Sequence, residues 1–488
     1  MQNSQIFELV KQDFGTPTYV YSYRKLRENA RIVLGMPNAF GFTPRFAMKA
    51  NPSISVLRTL RNAGITRVDA SSIYEVQRAV DAGFPLENIS LSTQMLSDEY
   101  EAYFERGLRL NLCSLSQLTR FGMRFRGCQS VGLRFNPGLG SGEVDATNVG
   151  GPASSFGIWH ESLKEVRAIL KRYDLRVVRI HTHIGSGTDV NVWNRAAMLS
   201  LKLCEVFPDV KTLNLGGGFK VARMHDEVST DIHKVGEHIK RSFESFRERT
   251  GRALHLEIEP GNYLCTSAGS LVCTIQDVTS TSRYDFLKLD SGMTEILRPM
   301  LYGSQHNILL VCRKDEKVEP SYRLVRDVLG RKNDSLSSEK NKKYEYVIVG
   351  KCCESGDLLT CVKNKPARIH ARTFSNRARI GDLIVVEGCG SYCSSMCAKH
   401  YNSYPTAAEV MYFEDQDVPL RLIRSRGVLQ DATVGEICLS DSTLRDDDDD
   451  INCNKNRAAR WLLSSTRTTM VVVQVVMCFV GSLVGANN

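Results

Sequence analysis

From about residue 24 to residue 265, short runs rich in β-branched and aromatic residues alternate with stretches whose apolar residues recur every three or four positions. PRFAMKAN is followed by ISVLRTLRNAG, TRVDAS by IYEVQRAVDAG, ISLST by DEYEAYFERG and RLNLCS by LSQLTRFGM. SVGLRFN, RVVRIHTHIG, VKTLNLGGGF and LHLEIEPG continue the series. Each helical stretch is polar on one side, and several end at Gly. Eight or so units of roughly 25–30 residues predict an α/β fold with parallel strands closed into a TIM-type (β/α)8 barrel. An open doubly wound sheet is the alternative, but no GxGxxG follows the first strand.

After residue 265 the texture changes. SLVCTIQDVTSTS, YDFLKLDS, YEYVIVGK, DLIVVEG and AEVMYF read as strands without long helices between them, which predicts a C-terminal, mainly-β domain over 266–430. The barrel occupies 24–265. Residues 1–23, through PTYVYS, supply a further strand to the β domain. A charged, Ser-rich insertion lies near 313–343. The tail, 431–488, runs from the acidic RDDDDD to the apolar MVVVQVVMCFVGSLVGA at 470–486. That run sits at the short edge for a membrane span. A C-terminal membrane anchor is one reading, and a tail that packs elsewhere is the other.

Composition narrows the classes. At 488 residues the chain exceeds one ordinary core. A formal charge of +9, scattered and without a dense aromatic-interleaved patch, argues against nucleic acid and suits a small anionic ligand. The start MQNSQIFELVKQDFGTPTYVYS has no apolar leader core, so the 15 cysteines read as reduced thiols of a cytoplasmic or organellar protein. Cys389, Cys393 and Cys397 recur every four residues, but without a CxxC pair or a His at ligand spacing they predict no metal.

The candidate chemistry gathers at predicted strand ends, where such a barrel carries its reactive groups. Lys49 lies in the run Phe46-Ala47-Met48-Lys49-Ala50, which reads as a buried strand. A buried lysine must lose its charge, gain a partner or be used covalently. HTHIGSG offers His181, His183 and a Gly-Ser turn. LGGGF offers bare backbone amides that can cradle a phosphate. EIEPGN offers Glu257 and Glu259. A lysine, glycine amides and a carboxylate are what pyridoxal 5'-phosphate (PLP) needs: a covalent anchor, a phosphate cradle and a partner for the pyridine nitrogen.

The chain resembles the diaminopimelate decarboxylase family of PLP enzymes on an alanine-racemase-type barrel. The resemblance covers about residues 14 to 426. It is carried by TPTYVYS, FAMKANPSISVLRTLRNAGITRVDASSIYEVQRAVDAGF, GGPASSFGIW, HTHIGSG, LGGGF, EIEPG, LDSGMTEILRPMLYGSQHNI, CESGD and GSYCSSMCAKHYNSYPTAAEVM. It implies that Lys49 attaches the cofactor and that His183 stacks on its ring. Ser186, Gly218 and the turn Glu259, Pro260, Gly261, Asn262 would hold the phosphate, with the Glu259 side chain facing the pyridine nitrogen. Asp69 would lie near the lysine and Tyr392 against cofactor and substrate. Arg298 and Tyr302 would contact a substrate carboxylate. Cys353, as proton donor, and Glu354, reading an amino group, would reach in from the partner subunit of a homodimer. The implied reaction is decarboxylation of meso-2,6-diaminopimelate to L-lysine.

Three positions depart from the family pattern. EPGN stands where the family reads EPGR, whose arginine contacts the substrate's distal carboxylate; Asn262 is the substrate contact expected in its place, able to hydrogen-bond but without a charge. Ser155 in SSFG and the ending NSYPTAAEV also lack commonly found basic residues. These losses keep open a related decarboxylase of lysine, ornithine or arginine, or a catalytically silent regulatory homologue. CESGD and the joint presence of Lys49, Glu259 and Cys353 favour the active diaminopimelate branch.

Overall fold

The computed structural model describes residues 4–127, 129–142, 148–312 and 343–439. The predicted insertion therefore lies outside the described residues except for Lys343, as do the acidic and apolar parts of the tail. Among the described residues no helix is long and apolar enough to cross a membrane. Residues up to Ala432 form one compact unit.

In chain order the first strands are β1 (Thr18–Ser22), β2 (Phe42–Ala47), β3 (Arg67–Ala70), β4 (Ile89–Leu91), β5 (Arg109–Leu112) and β6 (Gln129–Asn136). They are followed by β7 (Ile158–Trp159), β8 (Leu175–Thr182), β9 (Thr212–Asn214), β10 (His255–Ile258), β11 (Gly269–Ser280) and β12 (Asp285–Leu289). Eight of them pair in parallel in the order β5-β4-β3-β2-β10-β9-β8-β6, and β5 pairs with β6 to close the barrel. The crossover helices start where the sequence supplies a cap. Ser22, Ser72 and Ser114 each accept a backbone N–H three residues on, and Asp231 does the same for the long helix Ile232–Thr250. Their apolar stripes, such as Val56, Leu57 and Leu60 or Ile239, Phe243 and Phe246, are buried in the main core.

The second sheet holds β11 at its centre. β1 lies between β11, antiparallel, and Ala408–Tyr412, parallel, so the amino terminus is stitched into the sheet built from the end of the chain. Both layers share one continuous core, from Phe46 and Ile258 in the barrel to Leu271 and Ile384 in the sheet.

The barrel interior is largely polar. Successive strand residues alternate in and out, so Glu257 on β10 shares the inward face with Glu259 just beyond it. Arg45 (0% exposed) donates to Glu257 Oε1 at 2.9 Å, and Arg179 Nε stands 3.4 Å from Oε2. Burial pushes the Glu257 carboxyl up, but Arg179 and Arg45 more than offset that and hold it at about 2.

Candidate active site

The expectation of a buried Lys49 fails. The strand stops at Ala47, and Lys49 sits in a single 3-10 turn, Met48–Ala50, with buried neighbours and its own side chain exposed. Arg45, Ala47 and Lys49 follow the inward face of β2 upward, and that face runs out at the open mouth of the barrel. The fully buried cation of the run is Arg45, and its partner is Glu257.

Around Lys49 stand the groups named from neighbouring strand ends. Its charge acts on Asp69, His183 and Glu259 alike. Asp69, next to the last residue of β3, accepts hydrogen bonds from Ser90 (2.6 Å) and Ser92 (3.0 Å). Burial, and then the charge of Glu259, raise its carboxyl to about 8. Glu259 is the opposite case. Burial opposes its charge, but His181, with Nε2 at 3.2 Å, and the charge of Lys49 hold its carboxyl below the usual range. The Asn214 amide donates to the same Oε1 at 2.9 Å. Two neighbouring buried carboxyls are thus pushed apart, one towards the acid and one fixed as the anion. Burial, reinforced by the positive charge of Lys49, pushes His183 well below its ordinary value, so it presents a neutral ring.

The triple glycine is what lets these turns meet. Gly216 has φ +71°, and a Cβ there would stand 2.7 Å from the Cβ of His183. Gly218 has φ +95°, and a Cβ there would stand 1.7 Å from the carbonyl oxygen of Gly185. LGGGF therefore packs backbone to backbone against HIGSG, bringing Ser186 and Gly218 together. The Glu259 N–H donates to Gly216 O at 2.8 Å, which ties the EPGN turn to the same junction. Pro260 and Gly261 open the short helix Gly261–Cys265.

The β sheet adds one wall. The Tyr392 N–H donates to Ala50 O at 2.8 Å, beside Lys49, with Tyr392 held at φ +54°. A non-glycine residue at that angle is kept there by surrounding structure. The Arg298 guanidinium lies 5.4 Å from the Tyr302 ring and 6.0 Å from that of Tyr392. Cys353 and Glu354 are not brought to Lys49 within this chain. Both are exposed; Cys353 N–H bonds Asn402 Oδ1 at 3.0 Å, and Glu354 Oε1 accepts from Gly356 N–H at 3.0 Å. Their loop is anchored by buried Asp357, which accepts from the N–H of Met293 (2.6 Å) and Cys352 (2.9 Å).

Sequence reasoning passed over Asn214, Asp357 and Arg223. Asn214 carried a signal, a polar residue at the end of a buried strand just before the glycines. Arg223 carried none, because its partner Asn262 lies 39 residues further along the chain. Cys389 and Cys393 are buried free thiols, and among the described residues no group of three candidate ligands could hold a metal.

These residues fit PLP. The glycine junction is a cradle that any side chain would fill, and His183 Nδ1 is buried with no hydrogen-bond partner. Glu259 is a fixed anion, and Lys49 is an accessible amine. Residues 27–266 match the family model described as pyridoxal-dependent decarboxylase, pyridoxal binding domain, and the chain belongs to that family of decarboxylases.

Within that class the curated relatives include diaminopimelate decarboxylases. The chain is 29% identical over 431 residues to the diaminopimelate decarboxylase of Escherichia coli strain K12, covering 87% of this chain and 94% of that one. It is 29% identical over 434 residues to the diaminopimelate decarboxylase of Streptomyces coelicolor, covering 87% and 90%. A crystal structure of diaminopimelate decarboxylase matches with a TM-score of 0.76 at 28% identity, covering 88% of this chain and 95% of that one.

Proposed function

We propose that this chain is a PLP-dependent carboxy-lyase that converts meso-2,6-diaminopimelate to L-lysine and carbon dioxide, the last step of lysine biosynthesis. The observation that carries this is the meeting of Lys49, Asp69, His183 and Glu259 at one barrel mouth, above a glycine cradle. The diaminopimelate decarboxylases named above, aligned over most of both chains, support the choice of substrate.

Lys49 would hold the cofactor through Nζ. Ser186, Gly218 and the Glu259–Asn262 turn would hold its phosphate, and the neutral ring of His183 would lie against its face. When bound, PLP supplies a sink for the electron pair left behind as carbon dioxide departs. Glu259 keeps a fixed negative charge that favours a proton on the ring nitrogen. Asp69, hydrogen-bonded by Ser90 and Ser92, holds a proton near Lys49 without adding a second negative charge. Tyr392 and Tyr302 orient the substrate, and Arg298 binds a carboxylate. Cys353 Sγ would deliver the proton that replaces carbon dioxide on the α-carbon, and Glu354 would receive the far amino group. Both come from a second copy of the chain, which makes the active form a homodimer with shared sites. We place the reaction in the cytoplasm or an organelle lumen.

The test is spectroscopic and chemical. Holoprotein should show a visible cofactor band and release carbon dioxide from meso-diaminopimelate, and Lys49→Ala should lose both. Protein that stays colourless in saturating PLP overturns the reading. Outright preference for ornithine, lysine or arginine would replace the substrate.

A further inference from the structure

We infer that Arg223 and Arg298 together form the receptor for the carboxylate at the far end of the substrate, and that Arg223 makes that carboxylate a requirement. This rests on the decarboxylase reading above.

Arg223 lies in the loop that leaves the glycine junction after β9. Its Nη2 donates to Asn262 Oδ1 at 3.0 Å and stands 3.4 Å from Thr266 Oγ1. Asn262 Oδ1 also accepts from Thr266 Oγ1 (2.6 Å) and Ser391 Oγ (2.8 Å), while its Nδ2 donates to Phe219 O (3.4 Å). The Asn262 Oδ1 is therefore fully used within the protein, while Nδ2 spends one of its two hydrogens on Phe219 O. Asn262 thus braces a guanidinium through Oδ1 and brings no charge of its own to a ligand.

No carboxylate is paired with the guanidinium it braces. Neither Arg223 nor Arg298 is in an ion pair among the described residues, and the Nε of each is buried without a hydrogen-bond partner. Glu227 is spoken for: Lys220 (3.7 Å), Lys363 (3.3 Å) and the backbone N–H of Arg223 (2.9 Å) occupy its carboxylate. The two arginines also feel each other. Burial, and then the positive charge of Arg298, lower Arg223 to about 10, so it stays charged at neutral pH. Two neighbouring, desolvated guanidiniums without a carboxylate partner are unfavourable, and an arriving carboxylate relieves both at once. Arg298 stands over Tyr392, whose backbone is bonded to Ala50 next to Lys49. The receptor is thus set beside the reacting end.

The decisive experiment is equilibrium binding to holoenzyme of two diamines that differ only in this carboxylate: L-lysine, the proposed product, and pentane-1,5-diamine. Wild type should prefer lysine by about tenfold or more. Arg223→Gln should weaken lysine by about 10- to 100-fold, as expected for a lost charged hydrogen bond, and leave pentane-1,5-diamine within about twofold. Arg223→Gln combined with Asn262→Arg, which returns a guanidinium to the same place from the other element, should restore lysine binding. Equal weakening of both ligands would mean that Arg223 only shapes the loop, and unchanged lysine binding would mean that it is not a receptor; either result overturns the inference. Should Arg223→Gln not fold, Arg223→Lys reads the same ratio, with a smaller selective loss for lysine expected and an unchanged ratio overturning the inference. A wild type that ignores the carboxylate would instead overturn the diaminopimelate reading beneath it.

Discussion

Replacing Glu257 by glutamine removes the carboxylate that stands between Arg45 and Arg179 inside the barrel, while keeping its shape. The magnitude can be reached in two ways. A carboxyl held at about 2 instead of the 4.5 of an unperturbed glutamate contributes about 3 kcal/mol to folding at neutral pH. Removing one partner of a buried ion pair independently costs about 3–5 kcal/mol, because the surviving charge is left unpaired. The pH dependence has a definite sign. The folded-state value is depressed, so the contribution is full above about pH 4.5 and is lost as pH falls towards 2; less than half of it remains at about pH 3. Urea unfolding followed by intrinsic fluorescence should therefore separate wild type from Glu257→Gln by about 3 kcal/mol at pH 7, with a gap that narrows on acidification. A gap below about 1 kcal/mol at pH 7, or one that does not change with pH, would refute the assignment of Glu257 as the counter-charge of the barrel floor. Folded Glu257→Gln should still take up PLP, because Glu259, one layer higher, is untouched.

Asp69→Asn should be stabilising on the alkaline side. An acid raised to about 8 costs the cofactor-free protein stability as pH climbs from 3.8 to about 8, so melting curves from about pH 5 to about pH 9 should converge at the acidic end and diverge above. Parallel curves would remove Asp69 as the proton holder. Gly218→Ala puts a Cβ 1.7 Å from Gly185 O at φ +95°; with strain of about 1–3 kcal/mol, the PLP dissociation constant should rise about tenfold or more in a titration of the visible band, and an unchanged constant would contradict the cradle. Mixing inactive Lys49→Ala and Cys353→Ala chains should recover part of the activity through one intact shared site. Absence of recovery in a mixture shown to exchange subunits would count against Cys353 crossing the interface.

Much of this was legible without coordinates. The alternation of strand and helix and the motifs at strand ends are local patterns, and they predicted the barrel and drew attention to Lys49, His183, the triple glycine and Glu259. What escaped was of one kind. Lys49 read as buried because its run is apolar, yet the strand ends two residues earlier. Asn262 read as a substrate contact, yet its Oδ1 is taken by Arg223, Thr266 and Ser391, and Arg223 and Ser391 come from distant parts of the chain.

The two glutamates of EIEPG mark the division between what the sequence determined and what it could not. By itself the sequence determined that both exist, that a period of two sends both into the barrel, and that a tight turn follows. Only the tertiary structure decided that Glu257 is paired with Arg45 and Arg179, while Glu259 is set against Asn214, His181 and the cofactor side of the mouth. Periodicity and capping act between residues a few positions apart, so they are written in sequence order. Burial and charge act through space, between strands that pair only once the barrel has closed. A carboxylate's partners and proton affinity, and whether an arginine is free to meet a substrate, therefore belong to the fold.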